Sequence, residues 1–101
     1  MEEKQIILDF DELNESNLML MGAQIRYMLD AMFSGAPINA LIRGDKKKVK
    51  AFGDTLAREK KYMDAYVRYG LADARTHRNK YQLQSSIKNF ERATGLSWPV
   101  K

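Results

Sequence analysis

One histidine, His77, sits among Arg75, Arg78 and Lys80, and it is the only imidazole in 101 residues. There is no cysteine. Those two facts remove most hydrolytic and metal chemistry. A His-pair metal site, a Cys-ligated zinc or iron–sulfur centre, a disulfide and a thiol nucleophile all need side chains that are missing. No Ser in a nucleophile motif accompanies His77, so a Ser–His triad has nothing to activate. The expected role of His77 is therefore structural, or a contact to nucleic acid. Glu59, Asp64 and Glu91 are scattered and flanked by bases, so no carboxylate pair for acid–base work emerges. Neither standard phosphate-binding glycine loop is present. The acids at 9, 11, 12 and 15 lack the glycine and terminal Glu of a calcium loop. The expectation is a protein with no catalytic residues, no metal, no cofactor and no small-molecule substrate.

The bases carry more information. Lys46, Lys47, Lys48 and Lys50 crowd the first turn of an expected helix, where they oppose its dipole. With the free backbone N–H groups of that turn they could hold a phosphate or another anion. Lys60, Lys61 and Arg68 lie further along the same helix. Arg75, His77, Arg78 and Lys80 mark the junction to the next one, and Lys88 and Arg92 follow, one turn apart. Charge is polarised along the chain. Residues 1–30 carry seven acids and two bases, whereas residues 31–101 carry fifteen bases and six acids. A basic body of this kind favours a polyanionic partner, with a merely solvated lysine surface as the alternative. Tyr62, Tyr66 and Tyr69 interleave with these bases. They could stack nucleobases, or line the core edge with their hydroxyls in water. Two helices joined through Gly70-Leu71 also look like a helix-turn-helix, although Tyr66 stands where a small residue is typical.

The elements that must position these residues follow from periodicity. The length fits one domain, residues 1–101, and 45% hydrophobic with 30% charged is ordinary globular composition. Residues 5–10 form a short apolar run, a strand or an extended arm. Asn14 or Ser16 can cap a first helix over about 15–33, in which Leu18, Met21, Ile25, Met28, Leu29 and Met32 recur at helical steps. Gly35 and Pro37 end it. Its methionines are core filler, or, at Met21, Met28 and Met32, a self-association face. Leu18 to Met21 are consecutive and cover most of the circumference, more than a lone amphipathic helix needs.

Residues 38–43 fit two periods. Ile38, Ala40 and Ile42 alternate as in a half-buried strand, and Ile38, Leu41 and Ile42 fit one helical turn. Gly44-Asp45 reads as turn and cap. The second helix spans about 46–69, with Val49, Phe52, Leu56, Met63 and Val67 on one stripe and Gly70 as its stop. Gly53 inside it costs about 1 kcal/mol against Ala. The third starts near Asp73 or Thr76, is taken as about 76–94, and buries Leu83, Ile87 and Phe90. Pro99 keeps the tail out of helix, and Trp98 is expected to pack back on the core. The fold class is mainly α, a compact three-helix domain, or α+β if short strands form near 5–10 and 38–43. The expected core is Leu18, Ile25, Leu29, Val49, Phe52, Leu56, Met63, Leu83, Ile87, Phe90 and Trp98.

From Val49 onward a further pattern is visible: Val49, Phe52, Leu56, Glu59, Lys60, Tyr62, Tyr66, Tyr69-Gly70-Leu71, Thr76, Lys80, Leu83, Ile87, Phe90-Glu91, Thr94-Gly95 and Trp98-Pro99. It resembles a family of small proteins of tailed bacteriophages that infect marine bacteria. The closing Phe-Glu-x-x-Thr-Gly-x-x-Trp-Pro is its most specific part, and Val100 departs from the aromatic residue expected there. The resemblance covers about the last half of the chain. It implies a phage origin and no particular activity.

The Met-Glu-Glu start has no basic region ahead of an apolar one, so no secretory signal is expected. The apolar stretch Leu18–Phe33 carries Arg26 and Asp30 and falls short of the ~20 apolar residues of a membrane span. The expected location is cytoplasmic, the host cytoplasm if a phage encodes the protein, with no membrane partner. The functional expectation is a non-enzymatic accessory protein acting through protein–protein contact, as a homo-oligomer or on a host or virion protein. The alternative is a basic nucleic-acid-binding protein using Lys46, Lys47, Lys48 and Lys50 with Arg75, His77, Arg78 and Lys80.

Overall fold

The computed structural model describes residues 5–100, so Glu2, Glu3 and Lys4 of the acidic segment, and Lys101, lie outside the described residues. The chain runs β1 (Ile6–Asp9), α1 (Glu15–Leu20), α2 (Gly22–Ser34), β2 (Ala40–Arg43), α3 (Lys46–Tyr69) and α4 (Ala74–Thr94). It is a mainly helical domain with a small two-stranded parallel sheet.

The ambiguous segment at 38–43 resolves as strand over Ala40–Arg43, and its partner is the apolar run near the N-terminus. Ile6 pairs with Ala40, Ile7 with Leu41, Leu8 with Ile42 and Asp9 with Arg43. A two-residue period sends alternate side chains to opposite faces. Leu8 is buried with Ile6, Ala40 and Ile42 packed against the core, while Ile7 and Leu41 face outward. Parallel pairing forbids a tight hairpin and demands a crossover, which α1 and α2 supply.

That crossover is two helices where the spacing predicted one. Asn14 caps α1, its side chain accepting from the Asn17 N–H at 2.8 Å. The helix tightens at Met21, whose N–H reaches both Asn17 O and Leu18 O, and α2 starts at Gly22. The tail passes at this point: a Cβ on Gly22 would lie 3.4 Å from the Pro99 carbonyl. The break lets each piece bury its own stripe, Leu18 from α1 and Ile25, Met28, Leu29 and Ala31 from α2. Met21, Met28 and Met32, read as core filler or as a self-association face, turn inward as core filler does. Met28 is 4% exposed in the core, and Met21 and Met32 pack half-buried against it.

Helix α3 keeps its predicted bounds. Helix α4 begins at Ala74, earlier than Thr76, because Asp73 caps it by accepting from the Arg75 N–H at 2.8 Å. The buried Thr76 hydroxyl lies 2.7 Å from Gly70 O and 3.2 Å from Ala65 O, so it donates into the turn. Further along, Arg58 Nη1 donates to Gln82 Oε1 at 3.0 Å, and the Thr55 hydroxyl lies 3.1 Å from Ser86 O. These contacts run along the two helices in antiparallel order. The pair is therefore a long side-by-side hairpin, which corrects the helix-turn-helix expectation of a short crossed pair.

Four aromatic rings, each from a different segment, close the core. Phe10 meets Phe52 at 5.1 Å between centroids, Phe90 meets Trp98 at 5.0 Å, and Phe52 meets Trp98 at 5.8 Å. Tilted and edge contacts of this kind suit the ring quadrupoles. The tail is tied down as well. The Ser97 N–H donates to Glu15 Oε2 at 3.0 Å and the Trp98 N–H to Glu91 Oε2 at 3.3 Å. Most of the expected core is buried, with Val49, Met63 and Ile87 half-buried against it. Val67, placed on the α3 stripe by its spacing, lies off that core at 64% exposed.

Candidate nucleic-acid interface

The four lysines adjacent in sequence part company on the helix. Successive residues are rotated by about 100°, so neighbours cannot share a face. Lys48 turns to Asp11, 3.7 Å away, and Asp11 Oδ1 also accepts from the Asp45 N–H at 3.1 Å. Lys50 pairs with Asp54 at 2.6 Å. Lys46 and Lys47 meet no carboxylate among the described residues. The second expected group lies at the opposite end of α3, roughly 30 Å away at 1.5 Å per residue. It divides too. Arg75 stands over the Tyr69 ring, Lys80 lines a cleft on another side of the hairpin, and His77 and Arg78 are exposed.

The hairpin seam reassembles part of this set. Three shallow depressions follow it. The first, about 220 Å3, is lined by Lys47, Lys50, Ala51, Asp54, Asn89 and Ala93. The second, about 330 Å3, is lined by Asp54, Ala57, Arg58, Lys61 and Ser86. The third, about 260 Å3, is lined by Lys61, Asp64, Ala65, Arg68, Tyr69 and Asn79. Asp54 borders the first two and Lys61 the last two, so the three lie in a row, a segmented groove along the seam. Small residues at Ala51, Ala57, Ala65, Ser86 and Ala93 keep it open, and long cations edge it. Arg58 and the α4 side, Asn79, Ser86 and Asn89, were not singled out from the sequence. The three- and four-residue steps 47, 50, 54, 58, 61, 65, 68 are the signal that marks this face.

The electrostatics of the hairpin are one-sided. All its acids are engaged within the chain. Asp54 holds Lys50, Asp64 holds Lys60 at 3.1 Å, Asp73 holds Arg75, and Glu59 and Glu91 accept from Trp98. By contrast Lys46, Lys47, Lys61, Arg68, Arg78, Lys80, Lys88 and Arg92 meet no carboxylate among the described residues. The unbalanced charge facing solvent is cationic.

Arg75 is held firmly. Its Nε and Nη2 donate to the two Asp73 oxygens at 3.0 and 3.1 Å, and its Cζ lies 3.5 Å from the Tyr69 ring centroid. Those hydrogen bonds hold the Asp73 carboxyl below the ordinary Asp range and raise Arg75 above its own.

A separate cleft of about 320 Å3 lies between α2, α3, α4 and the tail. Its lining includes Arg26, Leu29, Glu59, Tyr62, Met63, Lys80, Leu83, Ile87 and Val100. Glu59 is 8% exposed, and its Oε1 accepts from Trp98 Nε1 at 3.0 Å. Burial raises its pKa above the usual carboxylate range, against the lowering effects of the Trp98 hydrogen bond and the Arg26 charge. Among the described residues no second carboxylate lines the cleft, and its one buried acid already serves to anchor the tail. Tyr62 is half-buried there, whereas Tyr66 and Tyr69 are exposed. Among the described residues no group of three or more His, Asp or Glu converges as metal ligands, and no helix is long and apolar enough to cross a membrane.

No family model, no curated protein and no solved structure matches the chain.

Proposed function

We propose that the protein is a non-catalytic nucleic-acid-binding protein that holds a phosphate backbone along the outer groove of the α3–α4 hairpin. The observation that carries this reading is the one-sided electrostatics: the hairpin's acids are spent on internal partners, while Lys47, Lys61 and Arg68, which meet no carboxylate among the described residues, edge the row of depressions along the seam. A row of cations on small-residue ground suits a polyanion, because each phosphate contact releases condensed counterions. The uncharged rim at Asn79, Ser86 and Asn89 offers hydrogen bonds to phosphate and sugar oxygens without repelling them. With the resemblance of residues 49–99 to small proteins of tailed phages, the proposed setting is an accessory factor in the cytoplasm of an infected host. The test is oligonucleotide binding measured across salt concentrations. Binding that weakens as salt rises, with a slope reduced by alanine at Lys47, Lys61 and Arg68, supports the reading. A slope untouched by those changes removes the groove.

A second reading, protein–protein contact with another copy of the chain, is favoured by the outward pair Ile7 and Leu41. They are register partners on the solvent face of the sheet, 49% and 39% exposed. Apolar side chains side by side on an open two-stranded sheet suit burial against a twin. Light scattering tests it: a dimer that dissociates on Leu41→Lys supports this reading, and a monomer at high concentration ends it.

A further inference from the structure

The groove does not end in open helix. At the hairpin corner it meets Tyr69, which borders the third depression together with Lys61, Arg68 and Asn79. The Tyr69 ring is 40% exposed and has the Arg75 guanidinium 3.5 Å from its centroid. That guanidinium is not free to wander. Asp73 grips it through Nε and Nη2, and the Asp73 carboxylate is itself fixed as the α4 cap. Arg75 remains 56% exposed in this arrangement. Asn79, on the same depression, donates its side-chain N–H to Arg75 O at 2.8 Å.

A planar cation locked against an aromatic ring is a preorganised stacking surface. Its ordering cost is met before any ligand arrives. Lys61 and Arg68, which meet no carboxylate among the described residues, stand on the same depression, and its one acid, Asp64, is held by Lys60. An apolar side chain of a protein partner would gain from the ring but not from this cationic rim. A duplex offers phosphates, but its bases are stacked on one another and cannot reach the ring. A nucleotide with a splayed base uses both features.

Resting on the groove reading, we infer that the corner captures one unstacked base of a single-stranded nucleic acid, stacked on the Tyr69–Arg75 pair with the adjoining phosphate on Lys61 and Arg68. The groove then tracks the remaining backbone, and the corner makes the protein prefer single strands to duplexes. Stacking on an aromatic side chain needs no particular base, so the preference is for strandedness and not sequence.

The experiment uses the full chain and a short single strand containing 2-aminopurine, beside the same strand annealed to its complement. The expected result is tighter binding of the single strand, with a change in 2-aminopurine emission on binding. Tyr69→Leu removes the ring, and Arg75→Lys keeps the charge but loses the plane. Each is expected to abolish the emission change and weaken single-strand binding about tenfold, while the salt slope stays as in the parent. Arg75 lies on the surface, so that variant serves if Tyr69→Leu does not fold. Equal affinity for both strand states, or an emission change that survives in both variants, overturns the corner while leaving the groove. Absence of binding to either oligonucleotide at low salt overturns the groove, and the corner with it.

Discussion

Trp98 gives its indole N–H to Glu59 Oε1 across 3.0 Å, and both side chains are buried. The bond ties the last turn of the chain to the middle of α3. It also assigns the two sides of the hairpin different work. The side carrying Glu59 faces the tail and α2 and holds the domain together. The seam edged by Lys47, Lys61 and Arg68 is left to solvent.

Losing the donor is expected to cost more than losing the charge. Trp98→Phe strands a buried carboxylate, at about 1–3 kcal/mol beyond the packing change. Glu59→Gln keeps an oxygen for the indole and removes a buried ionised group, so its cost is expected to be smaller. Denaturant midpoints of the two variants check the order.

The same residue sets a pH dependence. The Glu59 pKa is raised in the folded state, so over the window between its unfolded and folded values the native protein binds more protons than the unfolded chain. Stability then falls as pH rises through that window, and the full contribution is present only below the unfolded value. The fall is expected to be shallower in Glu59→Gln. Unfolding free energies of parent and variant, measured from acid to neutral pH, read the difference directly.

Gly44 is the least replaceable glycine. Its φ is 132°, and an added Cβ would lie 3.1 Å from Phe10 Cβ and 3.2 Å from Phe10 N. Backbone cannot give way as a side-chain tip can. Gly44→Ala is expected to lose at least about 1–3 kcal/mol and to loosen β2 from the segment after β1. Thermal melts show it as a lowered midpoint.

Met28→Asp puts a carboxylate into the core beside Ile25 and Leu29. The expected result is loss of the fold, by several kcal/mol, and not a clean change of oligomeric state. Circular dichroism together with solution mass separates these outcomes.

The sequence carried the helices better than their interruptions. Helix α3 was legible because its apolar stripe, its Gly44-Asp45 entry and its Gly70 exit agree. The break at Met21 was not, since it coincides with a tail from the far end of the chain passing Gly22. Residues 38–43 satisfied two periods over six positions. What decided between them was a parallel partner 34 residues away, which no local pattern encodes. Leu8 and Phe10 entered the core by the same pairing. For the interface, the bases were visible but their grouping was not. Adjacency in sequence joined Lys46, Lys47, Lys48 and Lys50, whereas helical phase sends Lys48 to Asp11 and puts Lys47 and Lys50 on the seam. The methionines stayed open between two readings for a related reason: Met suits both a core and a docking face, and the packing of α2 against its neighbours puts Met28 in the core.

Whether the seam of the hairpin holds phosphates is decided by the salt dependence of single-strand binding. The parent is compared with a Lys47→Ala, Lys61→Ala, Arg68→Ala triple variant. Log affinity is expected to fall linearly with log salt in the parent. The slope of the variant is expected to be shallower by about two units, near 0.7 for each single-strand phosphate that a removed cation had neutralised. Identical slopes in parent and variant, or binding indifferent to salt, contradict phosphate binding at the seam.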